Sequence, residues 1–461
     1  MSRAKTPPFR PHLYASHAVG TGSIASDRAL LFGWTGTHWS PQDEKEAERA
    51  AYLWLVTKNA DWASADNARK AFRAACLFAP ALPALTGRVV IPARNGYVHL
   101  EAGELVLRPA DPELGLTHAL ECDFSPDGPC PDKFLAFLAM VLPDAAVRSR
   151  VQEYVGYTLM PDARYQRAQF WLGEGANGKG VLVNIVQALH GCIAAMALDR
   201  LAGFHLSALV GASLIVVDEV ARRPIDEQLL KSMIAGERIL VDRKFRDPVS
   251  VHVRGKWLVL GNQLPVITDH SVGFWRRWDV VPFSVVIPEH ARDPLLAQAI
   301  IVSELSGVLA WALQGLVRLA RRGCFDPALP AAMAATLHEV KAETNSILAW
   351  MEDCEVRTLT ACATPKERVF EHYRAWCSAS AMHEVSVVQF WKMMKSHLND
   401  LAETRTRVDG HQRRMCNIYA CPEPALCSTG CWRSPACLPT MVRMDIGNSK
   451  NKVRAEKFFT L

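Results

Sequence analysis

Gly173, Gly178 and Lys179 of GEGANGKG, residues 173–180, have the spacing of a phosphate-binding loop: Gly, four residues, Gly, Lys. Backbone N–H groups through Glu174, Gly175, Ala176, Asn177 and Gly178, continuing into a helix N-terminus at Gly180 and Val181, can surround β- and γ-phosphate oxygens. Lys179 adds a mobile cation. Gly180 stands where such loops usually carry Ser or Thr, so one Mg²⁺ ligand is missing; waters, phosphate oxygens and Asp218 can complete an octahedron. Further on, LIVVDE ends in two carboxylates. Asp218 would hold Mg²⁺, directly or through water, and Glu219 would polarise an attacking water. Asn262 ends KWLVLGN, where its amide could touch both the γ-phosphate and that water. In GFWRRWDVVPF, Arg276 and Arg277 stand between large aromatics, and one of them could reach the γ-phosphate of a neighbouring subunit. Each feature alone has a plain reading: a Gly-rich turn, a strand end, a capping Asn, surface charge. Together, inside residues 173–277, they point to ATP hydrolysis with Mg²⁺.

That chemistry needs a sheet to hold it. QFWL is a short apolar strand running into the loop, and KGVLVNIVQALHG is a helix with Val181, Ile185 and Leu189 on one face, stopped by Gly191. SLIVVDE and KWLVLGN are continuous apolar runs, as expected of strands buried on both faces of a parallel sheet. Alternating strands and helices mean an α/β core, expected over 166–330, with helices returning from Leu295 to Arg322. Residues 1–40 show no period and stay unassigned. A domain of mixed helices and strands is expected over 41–165: one long helical pattern from Glu44 to Phe78, a meander in RVVIPARNGYVHLEAGELVL, and helices near 131–141 and 145–159. Three helical patterns and a basic stretch make a smaller domain, 331–424, followed by an irregular tail, 425–461.

With 461 residues the chain has room for two to four domains, and its net charge of +5 leaves any nucleic-acid surface to be local. No signal peptide is evident, and the apolar reach near Leu305–Leu319 carries Ser306, Gln314 and Arg318 on a helical period, so a packed helix is expected and no membrane span. Most of the 13 cysteines are isolated, which suits reduced thiols in a cytoplasm. Cys421, Cys427, Cys431 and Cys437 lack the Cys-x2-Cys spacing of common zinc sites.

Two basic clusters could meet nucleic acid. In ERILVDRKFRDPVSVHVRGK, Arg243, Lys244 and Arg246 flank Phe245, a pattern suited to the phosphates and bases of a single strand; Arg238, Arg254 and Lys256 add charge nearby. Arg405, Arg407, Arg413 and Arg414 surround Asp409-Gly410, a turn with arginines on both limbs that could lie along duplex phosphates. Either cluster could instead be a solvated hairpin.

The loop, Asp-Glu, Asn and Arg-Arg, in this order and this close, resemble superfamily 3 helicases, the AAA+ ring motors of small viruses, phages and plasmids. GEGANGKG, VVDE, GNQLP and GFWRRWDVVPF are in register with the helicase part of the phage and poxvirus primase-helicase family. VIPARNGYVHLEAGELVL, CPDKFLAFL and VQEYVGYTL resemble that family's preface to the motor, so the likeness covers roughly 85–420. It implies an AAA+ P-loop core, a winged-helix-like C-terminal domain, a ring (a hexamer), and a 237–256 hairpin pointing into the pore. It also implies single-stranded and forked DNA as partners, in replication of a phage, prophage or plasmid inside a bacterial host. Two departures stand out. The chain has little room for a primase and no Asp-x-Asp pair, so priming would fall to a separate protein; and Gly180 replaces the usual hydroxyl. Two rivals share the motifs: a DNA-binding initiator or scaffold whose nucleotide site assembles the ring with little turnover, and a P-loop ATPase of packaging or defence.

Overall fold

The computed structural model describes residues 7–420 except positions 28, 29, 222, 244, 245, 268, 361, 381, 383, 409 and 410, and leaves out the side chains of 204, 243, 246, 247, 408 and 411. Lys244, Phe245, the Asp409-Gly410 turn, the four tail cysteines and the 425–461 segment therefore lie outside the described residues. The chain forms two compact units that divide between Asn345 and Ser346.

At the centre of the larger unit is a five-stranded sheet, all parallel: β1 (Ala168–Leu172), β2 (Ile193–Ala195), β3 (Leu214–Val217), β4 (Lys256–Gly261) and β5 (Trp278–Pro282), in the order β5-β1-β4-β3-β2. The apolar runs LIVV and KWLVLG are buried at every position, because both faces are covered. Alternate residues serve opposite cores. Trp171, Val216, Leu258 and Val281 pack with α1 (Ala145–Thr158), α2 (Lys179–Ala188) and α3 (Leu296–Arg322) through Tyr154, Ile185 and Leu313. Phe170, Val217, Val259 and Val280 face Leu230, Met233, Phe274 and Val340. The long apolar α3 is thus a core helix of this unit, with Val308, Leu309, Leu313 and Leu316 all buried.

One buried ion pair ties this scaffold together. Asp279 on β5 is fully buried and takes two hydrogen bonds from Arg150 on α1, at 2.6 and 3.0 Å. Removing one partner leaves a charge stranded in the core, so Asp279→Ala is expected to cost about 3–5 kcal/mol of stability. A urea melt of the variant, its midpoint shift multiplied by the m-value giving a loss of that size, checks it.

The N-terminal region differs from its sequence pattern in two places. Residues left without assignment fold into a helix, Pro11–Gly20, and a three-stranded antiparallel sheet of Ile24–Asp27, Leu30–Trp34 and Trp39–Pro41. The single helical pattern from Glu44 to Phe78 is two helices, Glu44–Lys58 and Ala65–Phe78. Asn59 breaks it in an extended conformation, its side chain accepting from Asp61 N, and Ser64 caps the second helix by accepting from Asn67 N. The meander is present as Val90–Ala93, Gly96–Glu101 and Glu104–Arg108.

The helix Ala331–Thr344 belongs to the larger unit. Its Val340 is buried in the second core, and Lys341 Nζ lies 5.6 Å above the Trp275 ring. That unit therefore runs past the boundary expected at 331, to Asn345. Among its described residues the smaller unit has three helices, Ser346–Asp353, Lys366–Ala379 and Val387–His397, then a hairpin of Glu403–Val408 and His411–Cys416. Thr364–Pro365 adds a short third strand, and Trp350, Tyr373, Phe390 and Met394 fill the core.

Candidate nucleotide site and basic surfaces

In a parallel sheet every strand ends at the same edge. Gly261 of β4 pairs with Leu172 of β1, and Val259 of β4 pairs with Val217 of β3. Gly173 N donates to Gly261 O at 3.1 Å. The residues that follow these strands are thereby neighbours: the loop after β1, Asn262 after β4, Asp218 and Glu219 after β3. All three polar side chains are exposed, at the ends of strands that are otherwise buried.

The loop is built around two glycines. A Cβ on Gly178, which has φ +83°, would come 2.5 Å from Val141 Cγ1; one on Gly173 would come 2.3 Å from Phe283 O. Gly180 is different: nothing lies within 4 Å of its added Cβ. Exposed Glu174, Gly175 and Ala176 form the crest, with Val181 half-buried beneath. Asn177 is buried and donates to Glu174 O and to Phe283 O, while Ile287 N donates to Ala176 O at 2.8 Å. The segment after β5 therefore clamps the loop. That role of Asn177 was invisible in the sequence, since Phe283 lies 106 residues away; a lone Asn among glycines was the only signal.

Lys179 Nζ donates to Gly173 O at 2.6 Å, Glu174 O at 2.9 Å and Asn177 Oδ1 at 3.1 Å. Burial lowers its pKa from the usual lysine range. Its three acceptors are neutral oxygens, so a phosphate would be a stronger partner. Among the described residues no group of three His, Cys, Asp or Glu gathers into a metal cluster. One hard carboxylate at Asp218, with open space at Gly180 for water and phosphate oxygens, fits Mg²⁺ brought with a nucleotide.

Arg276 and Arg277 sit at the opposite edge of the sheet. Ala168 N, at the start of β1, donates to Arg277 O at 2.7 Å. The five residues from there to Gly173 span about 16 Å. Arg276 is exposed. Arg277 is half-buried, donates through Nη1 to Gly273 O in its own helical turn, and is lowered in pKa by burial and by Arg276. Arg276 is the one free to reach outward.

The 237–256 region forms a hairpin of Arg238–Arg243 and Arg246–His252, with Arg243 opposite Arg246 next to the tip. Its basic cluster is smaller than the sequence suggested. Arg238 pairs with Asp27 at 3.2 Å, and Lys256, the first residue of a central strand, is fully buried and donates to Met160 O. Burial lowers Lys256 to about 7. Between about 7 and 10.5 the unfolded chain therefore binds the extra proton, so stability should rise with pH across that window. Lys256→Met is expected to flatten that rise in a pH series of denaturant melts.

Arg405, Arg407, Arg413 and Arg414 are all exposed, and Arg405 is directly opposite Arg414. Like charges in such a pair repel, and among the described residues none of the four makes an ion pair. Glu403 at the hairpin's base is already taken by Lys366 at 2.9 Å and Lys395 at 3.0 Å.

A family described only as of unknown function (DUF5906) matches residues 171–277, the span holding the loop, Asp218, Glu219, Asn262 and the arginine pair. A protein of Acanthamoeba polyphaga mimivirus, named as a "putative helicase", is 25% identical over 217 residues. That match covers 44% of this chain and 22% of the relative, so the chain spans about a fifth of its length. The fold is similar to apo structures of the NrS-1 C-terminal region. One has a TM-score of 0.52 at 12% identity, covering 89% of this chain and 99% of that one. A second has 0.50 at 12% identity, covering 90% and 100%. The chain thus has a mixed α/β fold with a parallel sheet, shared with that region.

Proposed function

We propose that this chain is an ATP-driven DNA helicase with an AAA+ P-loop core, working as a ring in replication of a phage, prophage or plasmid in the bacterial cytoplasm. The observation that carries it is the meeting of the Gly173–Lys179 loop, Asp218-Glu219 and Asn262 at one sheet edge. The name of the mimivirus relative, which matches less than half of this chain, supports the same class.

In this reading Lys179 leaves its three loop oxygens for the β- and γ-phosphates, and backbone N–H groups from Glu174 to Val181 hold the rest of the phosphate charge. Asp218 would hold Mg²⁺, which would supply charge neutralisation at the phosphate oxygens. Glu219 takes a proton from the attacking water, which Asn262 orients. An arginine must come from a neighbouring protomer, because this chain's own pair lies about 16 Å from its loop. Arg276 is that finger, and Arg277 anchors its helical turn. The Arg243–Arg246 hairpin tip tracks one strand in the pore. The order helix, two short strands, two helices, hairpin supports a winged-helix reading of the smaller unit, with Arg405, Arg407, Arg413 and Arg414 along duplex phosphates. A separate primase would supply the primers.

ATP turnover with and without single-stranded DNA tests the reading. Stimulation by the strand is expected; slow turnover that the strand leaves unchanged would favour the scaffold reading, for which the missing hydroxyl at Gly180 speaks. A packaging or defence ATPase would instead be stimulated by duplex. Because Gly180 faces open space, Gly180→Ser should fit, and it should lower the Mg²⁺ needed for half-maximal turnover. An Mg²⁺ titration at fixed ATP on both proteins reads this out.

A further inference from the structure

A cleft of about 490 Å³ opens at the base of the 238–252 hairpin, away from the nucleotide loop, between the hairpin, the 162–164 turn and the 82–85 segment. Three arginines and two aspartates line it, and they are unevenly matched. Asp162 is held by Arg164, with Nε–Oδ1 at 2.8 Å, and Asp27 by Arg238 at 3.2 Å. Arg254 has no carboxylate partner among the described residues; its Nη1 donates to Thr117 Oγ1 at 3.2 Å. Burial and the neighbouring Arg238 both weaken its hold on its proton, with Asp27 and Asp162 opposing them. A guanidinium this enclosed has several N–H donors and one neutral acceptor, which is the setting in which an arriving anion gains most.

The remaining walls suggest what carries the anion. Leu82, Pro83, Ala84 and Leu85 form an apolar side; Arg164 fills both oxygens of Asp162, while Asp27, which takes only Arg238 Nη2, keeps carboxylate lone pairs for donors. We infer that this cleft is a second site, for one nucleotide unit: its phosphate on Arg254, its base against the Leu82–Leu85 wall, its amino or hydroxyl donors on Asp27. The unit could be a free nucleotide or part of a strand leaving the hairpin; the second source rests on the strand-tracking reading above.

The test is titration calorimetry on the full chain with the loop saturated by Mg²⁺ and a non-hydrolysable ATP analogue. The probes are deoxyadenosine monophosphate and an unphosphorylated twelve-nucleotide oligodeoxyadenylate. One of them should bind the wild type, and that binding should fall at least tenfold both in Arg254→Gln, which removes the charge, and in Ala84→Trp, which fills the cleft and keeps Arg254. Mononucleotide binding without oligonucleotide binding leaves the cleft standing and counts against strand tracking. Oligonucleotide binding that both variants weaken assigns the cleft to the strand. Absence of binding by both probes at millimolar concentration overturns the site, as does equal affinity in all three proteins.

Discussion

Lys179→Ala and Arg276→Ala proteins, each about 10³-fold or more below wild type in ATP turnover, should regain activity when mixed. Every productive interface needs a loop lysine from one protomer and an arginine from the next. The first variant keeps the arginine and the second keeps the lysine. In a ring built at random from equal amounts, about a quarter of interfaces carry both groups, so recovery toward a quarter of wild-type turnover is expected. The argument rests on placement: Arg276 is exposed beside the start of β5, whereas the loop follows the end of β1. Arg277→Ala in the same mixture separates the two arginines. Because Arg277 holds Gly273 O in its own turn, its loss should lower stability and should not be complemented. A mixed assembly with no turnover at all would place the arginine's action within one chain.

The second large effect concerns the hairpin. Lys244→Ala should abolish most strand separation and leave basal ATP hydrolysis within a few-fold of wild type, since the hairpin's base lies at the sheet edge opposite the loop. Loss of both activities together would mean that the hairpin serves the nucleotide site instead. Binding to single strands should also weaken steeply with salt, as phosphate contacts require.

How much of this was legible in the sequence depended on burial. LIVV and KWLVLG announced themselves because strands covered on both faces must be apolar throughout. The three-stranded sheet at 24–41 did not, since its strands are short and mostly half-buried, with Gly33 and Pro41 interrupting any alternation. The break at Asn59 was hidden by an apolar period that runs straight across it; only the capping side chains of Asn59 and Ser64 mark it. Charge misled most. Lys256 and Arg254 looked like surface cations of a basic stretch, yet one begins a central strand and the other lines a cleft. A sequence shows that a residue can be charged, and only the fold shows what faces it. The shared edge of the loop, Asp218-Glu219 and Asn262 was legible because each directly follows an apolar strand, and a parallel sheet brings strand ends together.

The central claim is that ATP hydrolysis at the Lys179 site drives strand separation. The most direct measurement is displacement of one labelled strand from a forked duplex by the full chain, with Mg²⁺ and either ATP or its non-hydrolysable analogue. Displacement is expected with ATP alone, lost with the analogue and lost in Glu219→Gln. Equal displacement with the analogue, or none under conditions where ATP is hydrolysed, would contradict it.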